Sequence, residues 1–185
     1  MLTPSQQDFL LSLARRVIQC KLEHRPLDIS PPKDAVFEQK CGAFVTLHKQ
    51  DALRGCIGYV VGVKPLFDTI VDMAEAAAFR DPRFPPLSLD ELPDITIEIS
   101  ILSPMTRVTN IDEILVGRDG LMIRCGNRSG LLLPQVAVEW HWNRVTFLEE
   151  TCRKAGLRRD CWNSQDCIIL RFTAEVFSQE MQKSV

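Results

Sequence analysis

The sequence predicts an α+β fold with mainly antiparallel strands, and three observations predict it. Ile95, Ile97, Ile99 and Ile101 fill one face of a strand while Thr96, Glu98 and Ser100 take the other, the period-two signature of a half-buried sheet. Two hairpin patterns, residues 43–61 and 121–133, are interleaved with helix-period stretches, which argues against the strand-helix alternation of a doubly wound parallel sheet. The order hairpin, helix, strand occurs twice along the chain, although the residues of the two halves do not match.

The elements follow in chain order. Residues 5–23 place Phe9, Leu10, Leu13, Val17 and Cys20 near helical spacing, with Thr3 or Ser5 as N-cap and Pro26 closing the run. After Pro31-Pro32, Ala43, Val45 and Leu47 alternate with Phe44, Thr46 and His48, and residues 50–52 turn into a second strand over 53–61. Residues 66–79 return to helical spacing through Leu66, Ile70, Met73, Ala74 and Ala77, and Pro82, Pro85 and Pro86 frame a loop behind them. The isoleucine strand comes next. In the second half, Gly126-Asn127 joins strands over 121–125 and 129–133. A helix over 144–155 then ends at Gly156, which suits a left-handed C-terminal residue, and the last strand covers 167–177.

A chain of 185 residues suits one compact domain, 1–185, with approximate halves 1–110 and 111–185. Its 45% hydrophobic and 25% charged residues exclude disordered and collagen-like architectures. With 22 basic against 24 acidic residues the formal charge is −2, so no net field draws nucleic acid or an anionic membrane. No run approaches the roughly 20 apolar residues that span a bilayer, and residues 1–18 lack a signal-peptide core. Seven cysteines, an odd number without paired short spacing, lead to the expectation of reduced thiols and a cytoplasmic location.

The sharpest local feature is Leu53-Arg54-Gly55-Cys56-Ile57-Gly58-Tyr59. Alternation sends Leu53, Ile57 and Tyr59 to one face and Arg54, Cys56 and Gly58 to the other, so guanidinium and thiol share a side. A nearby guanidinium favours the reactive thiolate, and Gly55 and Gly58 would let a ligand or another backbone approach closely. Cys56 and Arg54 are therefore candidate catalytic residues, and Gly55 and Gly58 candidate ligand contacts; the alternative is a structural thiol beside a bulge. In the proline-framed loop, Asp81 and Arg83 are candidate ligand-binding residues for a carboxylate or phosphate, the alternative being an ion pair that holds the turn. Glu98, on the polar face of the isoleucine strand, is a candidate base or a partner for Arg54, the alternative being a solvated or paired acid.

Nothing in the spacing assigns a metal. Cys20 and His24 are four apart and Cys161 and Cys167 six apart, but no C-x-x-C or H-E-x-x-H occurs. No cofactor is identified, and the glycines lack the strand-to-helix context of a phosphate loop. Arg153, Lys154, Arg158 and Arg159 gather at a helix end, where they complement the dipole or form a docking patch.

Together these blocks resemble the AMMECR domain family, protein A of the AmmeMemoRadiSam system. The resemblance rests on LRGCIG at 53–58, AFRDPRFPPL at 78–87, EISILSP at 98–104, GLLLPQVA at 130–137, FLEETCRKAGL at 147–157 and FTAEVF at 172–177. It implies two related β-rich and helical repeats around one barrel-like sheet flanked by helices. It also implies association with a Memo-like protein and a radical S-adenosylmethionine enzyme, and it points to Arg54, Gly55, Cys56 and Gly58 as the functional centre. Two functions follow as expectations: an enzyme or enzyme component working with those partners through the Arg/Cys site, or a non-catalytic module that docks them.

Overall fold

A computed structural model of the chain describes residues 1–179. Its elements are α1 (Pro4–Leu22), β1 (Ala43–Lys49), β2 (Ala52–Tyr59), α2 (Leu66–Phe79), β3 (Ile95–Leu102), β4 (Thr106–Arg107), β5 (Asp119–Cys125), β6 (Arg128–Leu132), α3 (Pro134–Glu139), α4 (Arg144–Lys154) and β7 (Cys167–Ser178). The strand order is β2-β1-β3-β7-β5-β6 with β4 added on β7, which leaves β2 at an edge. The fold is α+β, its strands antiparallel, and the hairpin-helix-strand order appears twice as the sequence predicts. Among the described residues the chain divides into two compact units, Met1–Ile101 with Glu175–Gln179, and Leu102–Ala174.

In the first unit, α1 begins where Thr3 and Gln6 form a reciprocal capping box, with Pro4 in the first turn, where its missing N–H costs nothing. The face carrying Leu10, Leu13, Ala14, Val17 and Ile18 is buried. Helix α2 buries the residues its spacing marked, Leu66, Ile70, Met73, Ala74 and Ala77. Beneath it, Ala43, Val45 and Leu47 of β1 and Ile97 and Ile99 of β3 are fully buried, so one face of β2-β1-β3 forms the core with α1 and α2. The opposite face carries Phe44, Thr46, His48, Glu98 and Ser100.

The second unit repeats the plan with a smaller core, Ile114, Leu121, Ile123, Ala137, Phe147 and Leu148 among its members. Gly126 adopts a positive φ in the β5-β6 turn and Gly156 another after α4, both at the positions where the sequence calls for them. Short α3 is a departure from expectation: Pro134 starts it, but six residues carry too little periodicity to read.

Cysteine pairing is a second departure. Cys152 and Cys161 form a disulfide with Cα atoms 6.2 Å apart, while Cys20, Cys41, Cys56, Cys125 and Cys167 are free. Their separation of nine residues bears no recognised spacing; the turn after α4 returns the chain to bring them together. The basic cluster is locally paired, Arg153 and Arg159 with Glu150 and Arg158 with Asp160. Among the described residues no helix is long and apolar enough to cross a membrane.

One packing contact recurs. A Cβ on Gly55 of β2 would overlap the carbonyl oxygen of Ala77 near the end of α2, and a Cβ on Gly130 of β6 would overlap the backbone of Ala155 just past α4. Each hairpin therefore uses a glycine to bring its helix against the second strand. Gly55→Ala and Gly130→Ala will each destabilise the protein by about 1–3 kcal/mol, the usual cost of forcing volume into a packed site, read as a lower denaturation midpoint with an unchanged slope.

Candidate functional site

The candidate residues gather along β2 and the loop behind α2. From Cys56 to Tyr59 the strand alternates as predicted, with Ile57 opposite Val45 and Cys56 opposite Thr46. The alternation breaks one residue earlier. Gly55 pairs with Leu47 but Leu53 pairs with His48, which leaves Arg54 as the extra residue of a β-bulge and Leu53 exposed. The sequence pattern could not place this shift, because it depends on which β1 residue each β2 residue meets.

At the bulge Arg54 is 9% exposed. Its Nε and Nη2 donate to the two carboxylate oxygens of Glu91 at 3.0 and 2.9 Å, a bidentate pair. Glu91 also accepts from Lys49 Nζ at 3.1 Å and from the backbone N–H and hydroxyl of Ser88 at 3.2 Å. The Arg54 pair above all, and these further donors, hold its carboxyl well below the usual carboxylate range. Arg54 is thus bound to Glu91 rather than to Glu98, which lies on β3 beyond β1. Ser88-Leu89-Asp90-Glu91 has the S-x-x-E spacing of a capping box and is the one sequence signal for Glu91. The third nitrogen of Arg54, Nη1, is buried and has no hydrogen-bond partner among the described residues.

The loop behind α2 grips the exposed edge of β2. Asp81, 4% exposed, accepts the backbone N–H of Cys56 at 2.9 Å, while Arg83 Nη2 donates to the Cys56 carbonyl at 3.2 Å. Asp81 and Arg83 are joined by Nε and Nη2 donating at 2.9 and 2.7 Å, and the Arg83 backbone N–H donates to Asp81 at 3.1 Å. The Arg83 guanidinium, followed by the two backbone donors, holds the Asp81 carboxyl well below its ordinary range against the opposing effect of burial. Asp81 and Arg83 therefore do hold the turn as a pair, and the same pair brackets Cys56. The Phe84 ring stands near both guanidiniums, 5.4 Å from Arg83 and 6.0 Å from Arg54.

The Cys56 sulfur is half-buried and accepts a hydrogen bond from the Thr46 hydroxyl at 3.2 Å. Burial pushes its thiol up, and the Thr46 bond and the Arg83 charge oppose that only in part. The cation acting on the thiol is Arg83, half-exposed and two residues beyond Asp81, where the spacing within β2 pointed to Arg54. Register places Glu98 directly across β1 from Cys56, since Thr46 pairs with both. Cys56, Thr46 and Glu98 form one row on the face of the sheet away from the core. Thr46 carried no sequence signal of its own.

The two glycines are explained by packing. Gly55 faces α2, and a side chain on Gly58 would strike the Phe44 ring.

The chain is thus an α+β protein of two hairpin-helix-strand units, the first carrying a bulged edge strand contacted by the Asp81/Arg83 loop. Residues 11–177 match the family model AMMECR1, and the chain belongs to that family. It is 46% identical over 185 residues to Protein TK0174 of Thermococcus kodakarensis, covering 94% of this chain and 90% of that one. Protein MK0488 of Methanopyrus kandleri is 44% identical, with 97% and 91% covered. A solved structure, the crystal structure of uncharacterized protein PH0010 from Pyrococcus horikoshii, superposes with a TM-score of 0.85 at 44% identity, covering 93% of this chain and 90% of that one.

Two stability predictions follow from the ion pairs. Glu91→Ala strands a buried guanidinium and will cost about 3 kcal/mol, as removal of one partner of a buried pair does, measured by chemical denaturation. Asp81 has a folded pKa below its unfolded value of about 3.9, so its stabilisation is present at neutral pH and is lost as pH falls below that value. The stability gap between the wild type and Asp81→Asn will therefore stay level from pH 7 to about pH 5 and shrink as pH falls from about 4 to 2.5 in denaturant titrations.

Proposed function

We propose that the protein is an enzyme component that binds a small anionic ligand over the Cys56-Thr46-Glu98 row. The observation that carries this reading is Arg54 Nη1, a buried cationic donor on the same strand as Cys56 that has no hydrogen-bond partner among the described residues. A buried donor left unpaired costs about 1–3 kcal/mol, and a carboxylate or phosphate oxygen of a ligand would recover it. Arg54 is the anion clamp, already oriented by Glu91. Cys56 is the sulfur that meets the ligand's reactive atom. It rests as a thiol because burial disfavours its thiolate, so its activation requires a base, and Glu98 in the same row is the group assigned to accept the proton. Asp81 and Arg83 position Cys56 through its backbone.

The reaction proceeds together with a Memo-like protein and a radical S-adenosylmethionine enzyme, the partners implied by the family resemblance. The test is a reconstituted mixture of the three proteins. Cys56→Ala will abolish turnover while the complex still co-purifies, and Glu98→Gln will slow it by on the order of 100-fold. Unchanged turnover in Cys56→Ala with the complex intact would overturn the catalytic role and leave a docking module.

A further inference from the structure

Four of the seven cysteines lie in the second unit. Cys152, fully buried on α4, is joined to Cys161 in the turn that follows. Cys125 ends β5 and Cys167 begins β7, and the two stand directly opposite each other in the antiparallel register. Neither is disulfide-bonded. Cys125, Cys161 and Cys167 line one groove of about 700 Å³. Among the described residues no three His, Cys, Asp or Glu side chains are grouped as a metal set.

We propose that this groove is an internal thiol-disulfide exchange site, in which the Cys125/Cys167 dithiol and the Cys152–Cys161 disulfide trade one pair of electrons. Opposed residues of an antiparallel pair have Cβ atoms about 4.5–5.5 Å apart. A disulfide needs about 3.8 Å, so a modest strand shift joins them. Cys125 loses its proton to solvent and its thiolate attacks Sγ of Cys161, the half of the disulfide that faces the groove. The Cys152–Cys161 bond breaks, and Cys152 leaves as thiolate and takes up a proton. Cys167 then gives up its proton and attacks Sγ of Cys125 in the mixed disulfide, and Cys161 leaves and is protonated. One dithiol is oxidised and one disulfide reduced, with two electrons and two protons conserved inside the chain.

The order of attack follows from the environment. Cys125 is half-buried and acts first, whereas Cys167 is buried and is pushed up to about 11 chiefly by that burial. Arg128 and Arg158 also line the groove.

The experiment is disulfide mapping by mass spectrometry after alkylation, on protein held at pH 8 without added thiol. In the wild type both the Cys152–Cys161 and the Cys125–Cys167 bonds are expected. In Cys167→Ser exchange stalls, giving a Cys125–Cys161 bond with Cys152 alkylated, enriched several-fold over the wild type. Full alkylation of Cys125 and Cys167 in the wild type, with no Cys125–Cys161 bond in a Cys167→Ser protein of native circular dichroism, would overturn the proposal. Should Cys167→Ser fail to fold, Cys152→Ser supplies the same test: oxidised glutathione will drive its free Cys161 into a bond with Cys125, and recovery of Cys161 only as a glutathione adduct would overturn it.

Discussion

One buried carboxylate ties the loop behind α2 to the edge of the sheet. Strand β2 ends the strand order, so its outward backbone groups at Cys56 would face solvent or another chain's edge. Asp81 takes the N–H and Arg83 the carbonyl, and their mutual pair keeps both in place. The side chains imitate a neighbouring strand for one residue, and that residue carries the candidate thiol. The same contact supplies the positive charge nearest the sulfur, so edge protection and site construction are one arrangement.

A second ion pair, Arg54 with Glu91, does comparable work at the bulge. The bulge releases Arg54 from strict alternation and lets its guanidinium meet a carboxylate on the short helical turn at Leu89–Asp94. Glu91 collects donors from Lys49 and Ser88 as well, which makes the turn, the hairpin and the arginine mutually dependent. Such a network is costly to leave incomplete, which gives the unpaired Nη1 its significance.

Much of this was legible beforehand. The α2 boundaries, the isoleucine strand, both hairpins and the glycine after α4 followed from periodicity and turn chemistry, because each is a local preference reinforced by burial on one face. Asp81 and Arg83 stood out in the loop, and the structure shows the ion pair that holds the turn, a pair that also contacts the Cys56 backbone. Glu91, Thr46 and the Cys152–Cys161 bond escaped notice. Their importance lies in residues 37, 10 and 9 positions away, contacts that a local pattern does not encode. At Gly55 the close approach is that of the Ala77 backbone on α2, and at Gly58 that of the Phe44 ring, partners that only the folded chain supplies.

By itself the sequence determined the class of fold, the order of its elements, the face each one buries and the family to which the chain belongs. All of these rest on short-range periodicity, on residues with special backbone preferences and on motifs several residues long. Tertiary structure decided which cation stands beside which sulfur. A single-residue shift of register at Arg54 redirected that guanidinium to Glu91, and a returning loop put Arg83 in its place. Register depends on the partner strand as much as on the strand itself, and so it exists only once the chain has folded.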